Sequence, residues 1–209
     1  MKLYDMTITD FLNELSRDVP APGGGSVAAL NGAQGAALFS MVAEMTVRKA
    51  TNKGLTADVD VINVLNAAKD AQAKFIQFIQ DDTDAFMRVM DAVKLPKSTD
   101  EEKAARKEAI QLSYKGAIMP PLEVVRLAYS FAKQYSQIIY EKGDKFALSD
   151  VCVGVRCLNT AFWSAIYNVK INLSSITDTD FAANISTEIA MMEKDIDEFC
   201  HSVIGHVEF

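Results

Sequence analysis

Apolar residues recur at intervals of three or four along almost the whole chain, which is the spacing of one face of an α-helix. The most sustained example lies between residues 58 and 93 and reads Val61, Val64, Ala68, Ala71, Phe75, Phe78, Asp82, Ala85, Val89 and Ala92. A seam of this length is typical of helices that pack in a bundle. No segment shows the strict alternation of a strand. The pattern therefore predicts an all-α fold, an up-and-down bundle of long helices.

Capping and breaking residues divide this pattern into helices. Ser26 is a favourable N-cap, and Pro120-Pro121 is expected to end one helix and start another. The predicted boundaries are a short helix from Thr7 or Thr9 to Arg17, then Ser26 to Ala50, Asp58 to Val93, a capping box of Ser98 and Glu101 leading to Met119, Pro120 to Lys142, a cap at Ser149-Asp150 leading to Leu173, and Asp178 to His201.

Polar residues interrupt two of the apolar patterns. Asp82 is the single charged member of the seam. It is either turned toward solvent or paired, or it is a carboxylate whose pKa an apolar setting raises toward neutrality, which suits proton transfer. The segment 151–173 is apolar on nearly every face, so its Asn159, Asn168 and Asn172 need hydrogen-bond partners.

Composition narrows the function classes. The chain has 209 residues, enough for a core, and we expect one domain over 1–209. A formal charge of −7 argues against nucleic-acid binding. Residues 19–43 carry no charge, but their turn residues and polar side chains leave too short an apolar helix for a membrane span. Three cysteines without an evident signal peptide predict reduced thiols in a cytoplasmic protein.

The sequence lacks the residue patterns that several kinds of catalytic chemistry require. The two histidines, His201 and His206, are five apart, which is poor spacing for chelation from one helical face, and we expect no metal site. No dinucleotide fingerprint, P-loop lysine or nucleophile elbow occurs. Carboxylates, lysines and tyrosines remain as acid–base groups.

The segment from Pro20 to Leu30, PAPGGGSVAAL, contains three consecutive glycines. One interpretation is a tight entry into a helix, with the glycines adopting unusual dihedral angles. The other is a cradle of free backbone N–H groups that binds a carboxylate or phosphate, and the three glycines exceed what a cap requires. Basic residues at Lys94, Lys97, Lys103, Arg106 and Lys107 form either a solvated face or a patch for an anionic ligand.

These motifs, taken in order, resemble the cyclodeaminase/cyclohydrolase family of folate enzymes. The matching segments are 20–26 with the Ala-rich helix after it, Asp82-Thr83-Asp84-Ala85-Phe86, Leu95-Pro96-Lys97 with Arg106, Pro120-Pro121-Leu122, Ser149-Asp150 and 168–173. One departure is Gly143-Asp144, where the family often has Gly-Asn; if that turn touches substrate, the added charge could change which folate is accepted.

The resemblance implies a helical homodimer that dimerises through long helices and acts on a tetrahydrofolate one-carbon derivative. In cyclodeamination N10 attacks a formimino carbon and ammonia leaves, whereas in cyclohydrolysis water opens the methenyl bridge. Neither reaction needs a metal or redox cofactor, and both need proton transfer and stabilisation of a tetrahedral carbon. The sequence does not choose between them.

The resulting hypothesis assigns acid–base catalysis to Asp82 and, as a second carboxylate or a helix cap, Asp150. The predicted substrate-binding residues are Gly23, Gly24, Gly25, Ser26, Lys94, Lys97, Arg106, Asn168 and Asn172. The alternative is a helical module that binds folate or another partner without catalysis. Binding without turnover would identify it. A purely structural bundle is disfavoured because it gains nothing from polar groups in its seams.

Overall fold

Residues 2–205, which the computed structural model describes, contain seven α-helices. The helices are α1 (Ile8–Leu15), α2 (Gly24–Asn52), α3 (Val59–Val93), α4 (Asp100–Lys142), α5 (Leu148–Leu173), α6 (Thr179–Glu193) and α7 (Ile196–Ile204). Short 3₁₀ turns lie at Leu3–Asp5 and Lys145–Ala147. Since no strand occurs in this part of the chain, the predicted all-α class is confirmed.

Helices α2 to α5 form the bundle, with each packed on the next and α5 packed back on α2. The short connections make successive helices antiparallel, as in up-and-down bundles. Small residues bring α2 close to its neighbours: a Cβ on Gly32 would lie 2.5 Å from the Phe75 ring, and one on Gly35 would lie 2.9 Å from the Gly154 carbonyl oxygen. The small residues of α2 therefore permit close helix–helix approach.

The apolar seam of α3 faces the bundle as predicted. Val61, Val64, Ala68 and Phe75 are fully or almost fully buried. Phe78 is the exception: it is half-buried, and Ile79 takes its place in the core. One core cluster receives side chains from all seven α-helices, so the short terminal helices are part of the same packing unit.

The predicted break at Pro120-Pro121 is wrong. α4 continues through both prolines as one helix of 43 residues. Its capping box is also shifted by one residue, because Thr99 and Glu102 exchange the two hydrogen bonds that the sequence assigned to Ser98 and Glu101. A proline pair can lie inside a helix where other groups accept or replace the lost backbone hydrogen bonds.

Three further boundaries differ from the prediction. α2 begins two residues before Ser26, and the N-cap is Gly23. α5 follows a 3₁₀ turn and has Ala147 as its N-cap, so Ser149 does not cap it, although Asp150 does lie in its first turn. The final helix is two helices, because the chain turns at Asp195, whose carboxylate pairs with Lys133 of α4.

α2 is long and apolar enough, by length and composition alone, to cross a membrane, and it is the one helix within residues 2–205 that passes this test. Of its most apolar window, 61% is buried inside the bundle. Here α2 packs in the core of the bundle, against α3 and α5.

The hairpin of α3 and α4 extends past the end of the bundle where α2 begins. Gly25 at the start of α2 lies beside Asp82, and α3 continues to Val93, about 16 Å further at 1.5 Å per residue. A small cluster of Ala85, Val89 and Ala117 with Tyr114 holds the two helices together there. We call this projecting end of the hairpin, Ala85 to Val93 of α3 with the facing residues of α4, the overhang. It forms one wall of a cleft.

Candidate active site

A cleft of about 410 Å³ opens where α2 begins, α5 ends and the overhang projects. Its volume is in the range of small-molecule sites. Four segments line it: Pro20, Ala21 and Gly23 to Gly25 before and at the start of α2; Asp82 and Phe86 of α3; Tyr114 and Ala117 of α4; and Asn168, Ile171, Asn172, Ser174 and Ser175 at and after the end of α5. The structure therefore brings the glycine segment, Asp82 and both predicted amides together.

Gly25 is the glycine against which Asp82 packs. A Cβ at this position would lie 2.0 Å from Asp82 Oδ1 and 2.4 Å from its Cγ. No side chain larger than hydrogen fits unless the carboxylate moves. A Cβ on Gly23, by contrast, would meet nothing within 4 Å. The glycine segment thus lets the carboxylate of the protein itself reach the start of α2.

Ser26 holds this carboxylate. The side chain is 0% exposed, and its hydroxyl lies 2.9 Å from the Ile79 carbonyl oxygen and 3.3 Å from Asp82 Oδ2. Ser26 is therefore bonded to Asp82 and does not face the cleft, while the neighbouring Gly24 and Gly25 do.

The surroundings of Asp82 favour its protonated form. Burial raises the pKa of the Asp82 carboxyl above its ordinary value, and the hydrogen bonds from Ser26 oppose part of that rise. Among the described residues that line the cleft, Asp82 is the only carboxylate, and none is Lys, Arg or His. A carboxyl with a raised pKa in a cleft that has no other charged residue among its described lining can act as a general acid as well as a general base.

The amides of α5 have the partners that the sequence required. Asn168 Nδ2 donates to Ser164 O at 2.9 Å, and Asn172 Nδ2 donates to Ala117 O at 3.0 Å. Asn159 lies further from the cleft and bonds Asp197 at 2.8 Å. Asn168 and Asn172 are one helical turn apart and both line the cleft, so they form a polar wall.

The predicted basic residues lie elsewhere. Lys94 and Lys97 are exposed at the tip of the overhang, and Lys94 pairs with Asp91. The Arg106 guanidinium donates twice to Val93 O, at 3.0 and 2.9 Å, and so closes the end of α3. None of the three lines the cleft.

Asp150 and Asp144 are also distant from the cleft of their own chain. Asp150 precedes Asn168 by eighteen residues on α5, which is about 27 Å along the helix. Asp144 forms an ion pair with Lys49 near the other end of α2 and accepts a hydrogen bond from Phe146 N at 3.0 Å. Asp144 therefore does not face the cleft in this chain.

No cluster of three or more His, Cys, Asp or Glu side chains with metal-binding geometry occurs among residues 2–205. His201 lies in α7, and His206 falls outside the described residues. Cys152, Cys157 and Cys200 are free thiols.

The sequence did not predict Tyr114, Phe86 or the serines at 174 and 175 as cleft residues. Phe86 had a usable signal, because it follows Asp82 by one helical turn and so shares its face. The other three had none, since their position depends on how α4 and the end of α5 are placed beside α2.

Fold and cleft together define the class of the protein: an all-α bundle with a cleft of small-molecule size at one end, built around one partly buried carboxylate. Residues 7–191 match the family model described as formiminotransferase-cyclodeaminase. This chain therefore belongs to the formiminotransferase-cyclodeaminase family, as the sequence motifs indicated.

Individual relatives agree with this assignment. The chain is 39% identical to the methenyltetrahydrofolate cyclohydrolase of Methylorubrum extorquens over 84% of this chain and 83% of that protein. It is 31% identical to the formimidoyltransferase-cyclodeaminase of Mus musculus over 99% of this chain, but it spans only 38% of that longer protein. The crystal structure of a Thermotoga maritima formiminotetrahydrofolate cyclodeaminase matches with a TM-score of 0.79 and 26% identity, covering 97% of this chain and 96% of that one.

Proposed function

We propose that this chain is a folate one-carbon enzyme that uses the Asp82 carboxyl to move protons during cyclohydrolysis or cyclodeamination of a tetrahydrofolate derivative. The observation that supports it most is the single carboxylate, with a raised pKa, held against the glycine segment in a cleft of small-molecule size. Relatives named for each of these two activities share the fold and the family.

In cyclohydrolysis, the Asp82 carboxylate takes a proton from water as its oxygen bonds to the methenyl carbon. The tetrahedral adduct then loses its bond to N5, and Asp82 returns the proton to that nitrogen as the formyl group forms on N10. A second proton leaves the hydroxyl to solvent. Positioned acid–base groups of this kind contribute about 10²- to 10⁴-fold in rate.

Cyclodeamination closes the ring that cyclohydrolysis opens, and it requires the same acid–base group. The formimino group reacts in its protonated form, in which its nitrogen already carries two hydrogens. N10 attacks the formimino carbon, Asp82 accepts the N10 proton and donates it to that nitrogen, and the C–N bond then breaks to release ammonia and leave the methenyl cation. One carboxyl that accepts and then returns a proton serves both reactions. We place cyclohydrolysis first because the relative of that name is 39% identical to this chain, whereas the cyclodeaminase structure that the chain also spans is 26% identical.

Substrate contacts follow from the cleft walls. Gly23, Gly24 and Gly25 let the ligand approach the backbone, Asn168 and Asn172 supply polar contacts, and Phe86 and Tyr114 supply apolar surface for a ring. Lys94, Lys97 and Arg106 remain candidates for a flexible anionic tail that extends past the overhang, and Asp150 remains a candidate only for a site completed by another subunit.

A side-by-side assay of purified protein on 5,10-methenyl- and 5-formimino-tetrahydrofolate tests the proposal. We expect absorbance-monitored turnover of at least one substrate, above the rate in buffer alone. Binding seen by calorimetry without turnover of either substrate would instead identify the non-catalytic folate-binding module. Absence of both turnover and binding would overturn the folate assignment itself.

We further propose a cytoplasmic homodimer that associates through the outer face of α2 and α5. This face presents Leu38 and Met41 of α2 and Val153, Tyr167 and Ile171 of α5, with Tyr167 68% and Ile171 66% exposed. Because residues 19–43 carry no charge, half of the face lacks the charged side chains that usually cover an exposed helix. Ile171 also lines the cleft, so a second copy packed on this face would border the site.

Sedimentation velocity on wild type and Tyr167→Asp tests the dimer. We expect a dimer for the wild type and a shift to monomer for the variant, because a charge on this face must be desolvated on association. Leu112→Asp is the matched control: Leu112 is 71% exposed on the overhang, so the same change there leaves the dimer intact. A monomeric wild type at all concentrations, or equal effects of both variants, would contradict the assignment of this face.

A further inference from the structure

Two prolines inside α4 release two backbone carbonyl groups from the helix. A proline has no N–H, so it cannot donate the bond that the carbonyl four residues earlier normally accepts. Pro120 therefore leaves Gly116 O, and Pro121 leaves Ala117 O, without its helical partner.

The two released carbonyl groups have different surroundings. Gly116 is exposed, so water can bond its carbonyl oxygen. Ala117 is only 3% exposed and lies at the wall of the cleft. Its carbonyl oxygen accepts a hydrogen bond from Asn172 Nδ2 at 3.0 Å. A buried carbonyl group without a hydrogen-bond partner costs free energy. Pro121 removes the helical donor, and Asn172 donates to the Ala117 carbonyl oxygen in its place.

This bond orients the Asn172 side chain. With its NH₂ group held by α4, no described residue donates a hydrogen bond to its Oδ1, and the side chain lines the cleft. We propose that Pro121 is a positioning residue: by denying Ala117 O its helical bond it fixes the Asn172 amide, which then presents Oδ1 as an acceptor to an N–H group of the ligand. Given the proposed function, on which the identity of the ligand rests, the donors are the ring N–H or amino groups of a reduced pterin.

Asn168 provides an internal comparison. Its NH₂ group is held by Ser164 O, a carbonyl of its own helix, so its orientation does not depend on α4. A change at Pro121 should therefore disturb Asn172 and leave Asn168 unchanged.

The kinetic test compares Pro121→Ala with Pro120→Ala. The alanine in Pro121→Ala restores an N–H that competes for Ala117 O, and the loss of one oriented hydrogen bond to the ligand should raise KM about three- to tenfold. Because the contact holds substrate and transition state alike, kcat should stay near the wild-type value. Pro120→Ala restores a helical donor only to the Gly116 carbonyl oxygen, which is exposed and can otherwise bond water. It should therefore change neither KM nor kcat. Equal KM values for wild type and both variants would overturn the proposal.

Pro121 is buried, so its variants need a check of folding. Thermal denaturation by circular dichroism should show Pro121→Ala folded, since the restored backbone bond offsets lost packing. Pro121→Val restores the same N–H and retains more side-chain volume. It should reproduce the rise in KM if the alanine variant is unstable, and a wild-type KM in folded Pro121→Val would count against the proposal.

A second measurement needs no substrate. In ¹⁵N-labelled protein the side-chain NH₂ signals of Asn172, assigned by their loss in Asn172→Asp, should shift in Pro121→Ala, while those of Asn168 stay in place. Unchanged Asn172 signals would overturn the anchoring. If the wild type processes neither folate, the proposed function fails, but this measurement still decides whether Pro121 sets the orientation of Asn172.

Discussion

Replacing Asp82 by Asn is expected to lower kcat by about 10²- to 10⁴-fold at pH 7, with a small change in KM, since acid–base groups contribute on that scale. Asn has nearly the shape of Asp and can still accept a hydrogen bond from Ser26, so the cleft should keep its form. It cannot accept and return a proton. Among the described cleft residues no other carboxylate can replace it.

Unfolding of the Asp82→Asn variant would not explain the expected fall in kcat. The pKa of Asp82 is raised in the folded state, so the carboxyl binds its proton more tightly there than in the unfolded chain. Its contribution therefore favours folding at pH values below the unfolded pKa and is lost as pH rises through the folded pKa. Above that, the buried charge opposes folding. The asparagine of the variant carries no charge, so thermal denaturation should show Asp82→Asn gaining stability relative to wild type as pH is raised.

The matched control is Asp81→Asn. Asp81 is adjacent in sequence, but its carboxylate bonds Gln77 at 2.7 Å and does not line the cleft. This variant should retain wild-type kcat and KM. Full turnover by Asp82→Asn, or an equal loss in Asp81→Asn, would refute the catalytic assignment.

The prominence of Asp82 could be predicted from local pattern alone. A seam that repeats every three or four residues over about nine turns defines the inward face of α3 whatever packs against it, and a lone acid in that seam stands out. The neighbouring amides followed from the same logic, because a helix that is apolar on most faces must bury its polar side chains with partners. Predictions from periodicity agree with the fold because they depend on a single helix and not on which elements pack against it.

Features that depend on two helices were predicted poorly. Ser26 has the propensity of an N-cap, yet its hydroxyl bonds a carboxylate 56 residues away. Pro121 has the propensity of a helix breaker, yet Asn172 of another helix bonds the carbonyl it releases. In each case a tertiary partner overrides the local preference, and that partner cannot be identified from the flanking residues.

The basic residues illustrate a related limit. Lys94, Lys97 and Arg106 are close in sequence to the seam and were natural candidates for an anionic ligand. Whether they reach the cleft depends on how far α3 and α4 extend past the start of α2, a length that only the packing register determines. The overhang carries them beyond the cleft, and Arg106 is engaged with Val93 O.

Gly25→Ala is expected to reduce kcat/KM by about 10²-fold or more, because displacement of a catalytic group by about 1 Å costs this much. The new Cβ would overlap Asp82, with only 2.0 Å to Oδ1. The carboxylate must then rotate away from Ser26, or α3 must shift. In an exposed helix the same substitution would stabilise by about 1 kcal/mol, so a loss of activity here cannot come from helix propensity. Steady-state kinetics and thermal denaturation measure the two effects separately.

Gly23→Ala is the control, because its Cβ would meet nothing within 4 Å and its φ of −143° suits any residue. It leaves Asp82 undisturbed and should keep wild-type kcat, whereas a rise in KM alone would reflect the ligand contact proposed for this glycine. The double variant Gly25→Ala/Asp82→Asn then separates the two explanations for three glycines. If Gly25 matters because it makes room for Asp82, the second substitution adds little to the loss from the first, and the two effects are strongly non-additive. If the effects simply add, the glycine serves the ligand or the turn and not the carboxylate. Full activity of Gly25→Ala would contradict a role in placing Asp82 and a role in ligand approach alike.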